Sequence, residues 1–112
     1  MAISYDSIGQ LCVTCFSSGA HLNEPCKICA NNTVTACQDA NEIEGLVVAA
    51  KGNLVTVVIK GFVTLPYIGS APTVGYCPIA AAGSGKVKTL EGAREYVVFN
   101  VDTSKKTVTF CL

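Results

Sequence analysis

The stretch from Gly45 to Pro66 constrains the fold more than any other. Leu46-Val-Val-Ala-Ala50 and Leu54-Val-Thr-Val-Val-Ile59 are short, β-branched runs separated by Lys51-Gly52-Asn53, and the next breaks come at Gly61 and Pro66. Side chains alternate across a strand, so Val55, Val57 and Ile59 share one face while Leu54, Thr56 and Val58 share the other. A strand that is apolar on both faces must be covered on both faces. Lys51-Gly52-Asn53 has the composition of a tight turn and joins the two runs as a hairpin. No segment repeats its apolar residues at helical spacing, which makes the chain all-β.

The remaining punctuation divides the chain into further short strands. A first strand is expected over 11–16, followed by a loop over 17–25. A second runs over 26–30 and turns at Asn31-Asn32 into a third over 33–37. Paired strands over 43–50 and 54–65 follow a polar connection. A loop at 67–75 leads to a strand over 76–80, a turn at 81–85 and a strand over 86–90. Glu91-Gly-Ala-Arg94 forms a turn or one helical turn. The last hairpin pairs 96–101 with 107–112. Val97, Phe99 and Val101 are expected inward in it, with Val108, Phe110 and Leu112 on one face opposite Thr107, Thr109 and Cys111. Strands about ten residues apart with turns between them indicate a small single-domain β-barrel or β-sandwich. Residues 1–11 read as an N-terminal arm and 12–112 as the β domain.

Composition narrows the function. A chain of 112 residues can bury roughly two-thirds of its unfolded surface as one domain. Half of its residues are hydrophobic and only 14% are charged, against about a quarter charged in an ordinary soluble domain. The longest apolar run is about five residues, far short of the ~18 that span a bilayer, so membrane partners are not expected. The surplus apolar surface instead points to packing against other protein copies. Zero net charge argues against nucleic-acid binding driven by phosphate neutralisation. Met1-Ala-Ile-Ser-Tyr-Asp-Ser7 has neither the basic nor the apolar region of a secretory leader.

Seven cysteines in a chain without such a leader imply reduced thiols. Cys77 and Cys111 sit in strand-like company and read as small core or interface residues. Cys12-Val-Thr-Cys15 and Cys26-Lys-Ile-Cys29 are the sharpest chemical signal, because two CxxC pairs can close a tetrahedral zinc site. Against it, Val13-Thr14 and Lys27-Ile28 favour extended backbone over a zinc knuckle. The ten residues between the pairs also fall short of the spacing of about 15–20 common in zinc ribbons. His21 lies between the pairs as the single histidine, with no partner for Cys-His catalysis. Gly83-Ser-Gly-Lys86 lacks the Gly and Ser/Thr that a phosphate loop needs at 80 and 87, which are Ala and Val. Asn31-Asn-Thr33 matches a glycosylation sequon, which matters only on secretion. Glu42 and Glu44 are a possible acid-base pair, or charges that keep a strand edge solvated. No base–nucleophile pair or cofactor loop emerges, so the chain reads as a non-enzyme with no catalytic, cofactor-binding or metal site assigned.

From about Asn23 onward the order of motifs resembles the small head decoration (capsid cement) proteins of tailed bacteriophages and prophages. The likeness rests on Val57-Val-Ile-Lys-Gly61-Phe-Val-Thr-Leu-Pro66, Ala71-Pro-Thr-Val-Gly75-Tyr and a Gly-Ser-Gly-Lys-Val turn. It continues through Tyr96-Val-Val-Phe-Asn-Val-Asp102 with Thr107-Val-Thr-Phe110. The cysteine-rich first third departs from that pattern. The resemblance implies a structural, homo-oligomeric protein of the virion, with a trimer favoured. It would be made in the host cytoplasm, bind the phage major capsid protein across neighbouring subunits on the outer surface of the expanded head, and stabilise it. Ile3, Tyr5 and Ile8 would anchor the arm to the shell by strand addition, and Phe62, Tyr67 and Tyr76 are candidates for a self-association face, with a place in the core the equal alternative for each. The alternative is a cytosolic zinc-stabilised binding module built on Cys12, Cys15, Cys26 and Cys29.

Overall fold

The long strand expected over 54–65 is two strands, and the break between them organises the molecule. Gly61 adopts φ +126°, a backbone region that L side chains rarely enter. There the chain leaves one sheet and enters another. The computed structural model describes residues 10–112, which contain ten strands and no helix. Five precede the break: β1 (Leu11–Ser17), β2 (Pro25–Ala30), β3 (Thr33–Ala36), β4 (Gly45–Lys51) and β5 (Leu54–Lys60). They close a small barrel in the order β1-β3-β2-β4-β5, with β1 antiparallel to β5. The other five are β6 (Phe62–Pro66), β7 (Gly75–Gly83), β8 (Lys86–Thr89), β9 (Glu95–Asp102) and β10 (Thr107–Cys111). They form a sheet in the order β6-β10-β9-β7-β8. Leu11 belongs to β1 and not to an arm. Ile3, Tyr5 and Ile8 lie outside the described residues.

The β4–β5 hairpin separates two cores, as its doubly apolar pattern requires. On one side Val47, Val55 and Val57 pack with Cys26 and Val34 inside the barrel. On the other, Val58 and the partly buried Leu46 pack against Leu65, Ile79, Val87, Val108 and Phe110 of the second sheet. Phe110 is fully buried and meets the Tyr96 ring edge-on, with centroids 5.2 Å apart. The Tyr96 hydroxyl donates to the Ile43 carbonyl at 2.6 Å in a buried site. That bond ties β9 to the segment entering β4.

Three further expectations are corrected. The strand expected over 76–80 continues to Gly83, because β7 pairs with β9 over its first half and with β8 over its second. The turn is therefore confined to Ser84 and Gly85. In β9, Tyr96 and Val98 point inward while Val97 and Phe99 point outward. A bulge causes this: Thr109 faces Asn100 but Phe110 faces Val98, leaving Phe99 as the extra residue. Beyond the bulge the phase is restored, and Val101, opposite Val108, packs inward as expected. Residues 91–94, by contrast, are a turn, one of the two forms expected for them.

Gly45 sits where β4 crosses β2 and lies against the barrel core. A Cβ there would overlap Val57 Cγ1 and stand 3.1 Å from the Val58 carbonyl. Gly45→Ala should therefore destabilise the protein by about 1–3 kcal/mol, as overpacking does. Urea unfolding with an unchanged slope and a lower midpoint checks this, and an unchanged midpoint would contradict it.

Candidate interaction surface

The second sheet has one face in the core and one facing outward. Across β6, β10, β9 and β7 the registers align Phe62 with Cys111, Cys111 with Val97, and Val97 with Tyr76. Because Val63, Phe110, Val98 and Cys77 are turned into the core, alternation turns this whole row outward. The bulge adds Phe99, whose ring meets that of Phe62 edge-on at 5.5 Å. Tyr76 is 74% exposed and Phe99 62%. Beside the row, the Thr64 and Thr109 hydroxyls share a hydrogen bond of 2.8 Å. The row from Phe62 to Tyr76 contains no charged residue.

Of the three aromatics expected at a self-association face, the structure separates one from the others. Tyr67 is 5% exposed and belongs to the core. Phe62 and Tyr76 stand on the outward row. Val97 and Phe99, expected inward, complete it. Sequence reasoning missed them because both parities of 96–101 are apolar, so alternation alone does not reveal the bulge.

The double CxxC is not brought together. β1 and β2 are extended, and three residues along a strand reverse the face. Cys15 and Cys26 therefore face the barrel interior, whereas Cys12 and Cys29 are exposed. Among the described residues no three His, Cys, Asp or Glu side chains gather to hold a metal ion. The four thiols do not fit a zinc site in this fold. His21 lies in the exposed connection between β1 and β2. Glu44 does not pair with Glu42 for acid-base work: its Oε1 accepts from the Ile28 N–H at 2.9 Å. Lys88 Nζ donates to Asp39 Oδ1 at 2.7 Å on the surface.

The buried thiols are held protonated. Burial pushes Cys26 up to about 12, with neighbouring Cys37, Cys15 and Glu44 adding to the shift. Burial pushes Cys37 to about 11, partly opposed by Lys27, and its Sγ–H donates to the Glu42 carbonyl at 3.6 Å. Cys15 is also raised by burial. None of the three is poised as a thiolate nucleophile or metal ligand. Comparison with protein-family models, with curated proteins and with solved structures finds no match.

These shifts make stability pH-dependent at the alkaline end. Above the ordinary thiol value of 9.0 the unfolded chain loses protons from Cys26 and Cys37 that the folded chain retains. Stability should be full below about pH 9 and fall as pH rises toward 11–12. Cys26→Ala should flatten that fall, read as urea midpoints between pH 8 and pH 11. An equal slope in the variant would contradict the assignment.

Proposed function

We propose that the protein is a non-enzymatic decoration protein of a tailed-bacteriophage head, bound outside the expanded shell across neighbouring major-capsid subunits. The observation that carries this reading is the outward row of Phe62, Cys111, Val97 and Tyr76 with Phe99 beside it. An apolar row without charge on an outward sheet face suits a broad protein contact better than a small substrate. The motif resemblance from Asn23 onward supports the same reading. Burial raises the thiols of Cys15, Cys26 and Cys37, which suits a packing role for these three.

The physical role is one of linkage. A protein that binds the expanded lattice and not its precursor stabilises the expanded state by its binding free energy at each occupied site. Individual contacts of ordinary size, roughly 1,200–2,000 Å², suffice when many sites are filled. Association into a closed cyclic oligomer, with a trimer favoured, adds avidity because one copy holds its neighbours close to their own sites.

Co-sedimentation with expanded heads tests the proposal. The wild-type chain should pellet with heads and raise the temperature at which they rupture. Tyr76→Glu places a charge on a residue that is 74% exposed, so the fold should tolerate it while binding weakens at least tenfold. Full binding by this variant, or no binding by the wild type, would refute the reading.

A further inference from the structure

Among the described residues, the barrel is closed at one end and gapes at the other. β1 pairs with β3 only at Phe16 and Ser17, although its pairing with β5 runs from Leu11 to Phe16. β3 begins at Thr33, and the Phe16 N–H donates to the Asn32 carbonyl of the turn before it, at 2.8 Å. Among the described residues, no strand therefore flanks 11–15 on that side. Across the gap β2 pairs with β4 only at Pro25 and Cys26. Beyond that point the Glu44 carboxylate, not a strand, receives the Ile28 N–H.

Alternation identifies the backbone groups that face the gap. The N–H groups of Phe16 and Ser18 donate toward the β3 side, to Asn32 and Val34, while that of Ser17 donates to Asn53 on the β5 side. Carried back along an extended strand, the same alternation points the N–H and C=O of Cys12 and Thr14 into the gap. Behind them lies a cavity of about 380 Å³ lined by Val13, Cys15, Cys26, Ile28, Val57 and Ile59. Lys27 and Glu44 also border it, one of each sign, with the Glu44 carboxylate already engaged, so an uncharged occupant matches its walls.

We propose that this gap is an acceptor for an extended strand donated by a partner protein. The incoming backbone pairs with Cys12 and Thr14 and continues the barrel sheet. Its alternate side chains, aliphatic or β-branched, enter the cavity, whose volume lies in the range of ligand pockets. Open strand edges recruit strands in this way. A small apolar molecule fills the cavity but does not extend the sheet at Cys12 and Thr14, whereas a polypeptide strand does both. The site lies on the barrel and not on the second sheet, and stands independently of the shell-binding proposal.

The test adds a hexapeptide of alternating threonine and valine, acetylated and amidated, to the isotopically labelled full chain. Saturable amide shifts and slowed hydrogen exchange are expected at Cys12 and Thr14. Thr14→Pro removes a gap-facing N–H at the cost of the 3.3 Å hydroxyl contact between Thr14 and Thr56 of β5 and should abolish them, with Thr14→Val as the control that loses only that contact. Ile28→Lys, at a position 60% exposed at the cavity mouth, should weaken binding at least tenfold and serves as the comparison if the proline variant fails to fold. Absence of saturation, shifts confined to the second sheet, or unchanged binding by the folded Thr14→Pro or Ile28→Lys variant would overturn the proposal. Binding that appears only after deletion of residues 1–9 would assign the edge to the chain's own N-terminus, and would overturn it equally.

Discussion

The structure depends on burying the β4–β5 hairpin from both sides. Val47, Val55 and Val57 face the barrel core, and Val58 with Leu46 faces the core under the second sheet. Each fully buried aliphatic side chain contributes about 1.5–3 kcal/mol relative to exposure; the barrel's own strands cover one face of the hairpin, but the other finds its cover in the second sheet. The barrel and the second sheet therefore need each other. Gly61 makes the arrangement possible in one chain, because its left-handed backbone lets β5 end in the barrel and β6 begin in the other sheet without a long connection.

Once the hairpin has taken the inner face of the second sheet, the outer face of that sheet has no layer of described strands over it. That face carries the apolar row, with Tyr76 and Phe99 exposed on it. The same packing disposes of the thiols. Cys26, Cys37 and Cys77 fill core volume as small apolar side chains, and burial holds the first two protonated far above neutral pH. A cysteine content that looks like chemistry in the sequence is largely packing in the fold.

The sequence was legible where the physics is local. Turns at Asn31-Asn32, Lys51-Gly52-Asn53 and Asp102-Thr-Ser-Lys-Lys106 are encoded by residues that favour them, and the strands beside them fall within a residue or two of expectation. The two-sided burial of β5 was readable from its alternation, and the opposite faces of the CxxC pairs from their extended formers. What was not legible depended on pairing partners distant in sequence. The bulge at Phe99 exists because Phe110 meets Val98 while Thr109 meets Asn100, a register that no property of 96–101 alone dictates. The change of sheet at Gly61 likewise needed the second core to give it meaning. Phe62 and Tyr76 were singled out as aromatics, but only the register shows them in one row with Val97, and shows Tyr67 beneath the sheet.

Hydroxyl-radical footprinting of the protein, free and bound to expanded heads, is the sharpest probe of the outward row as the shell contact, because aromatic side chains report their own exposure. Oxidation of Tyr76 and Phe99 should drop sharply on binding while Phe16, on the barrel's outer surface, stays as reactive as in the free protein. Protection of Phe16 with Tyr76 and Phe99 unchanged would contradict a contact through the second sheet.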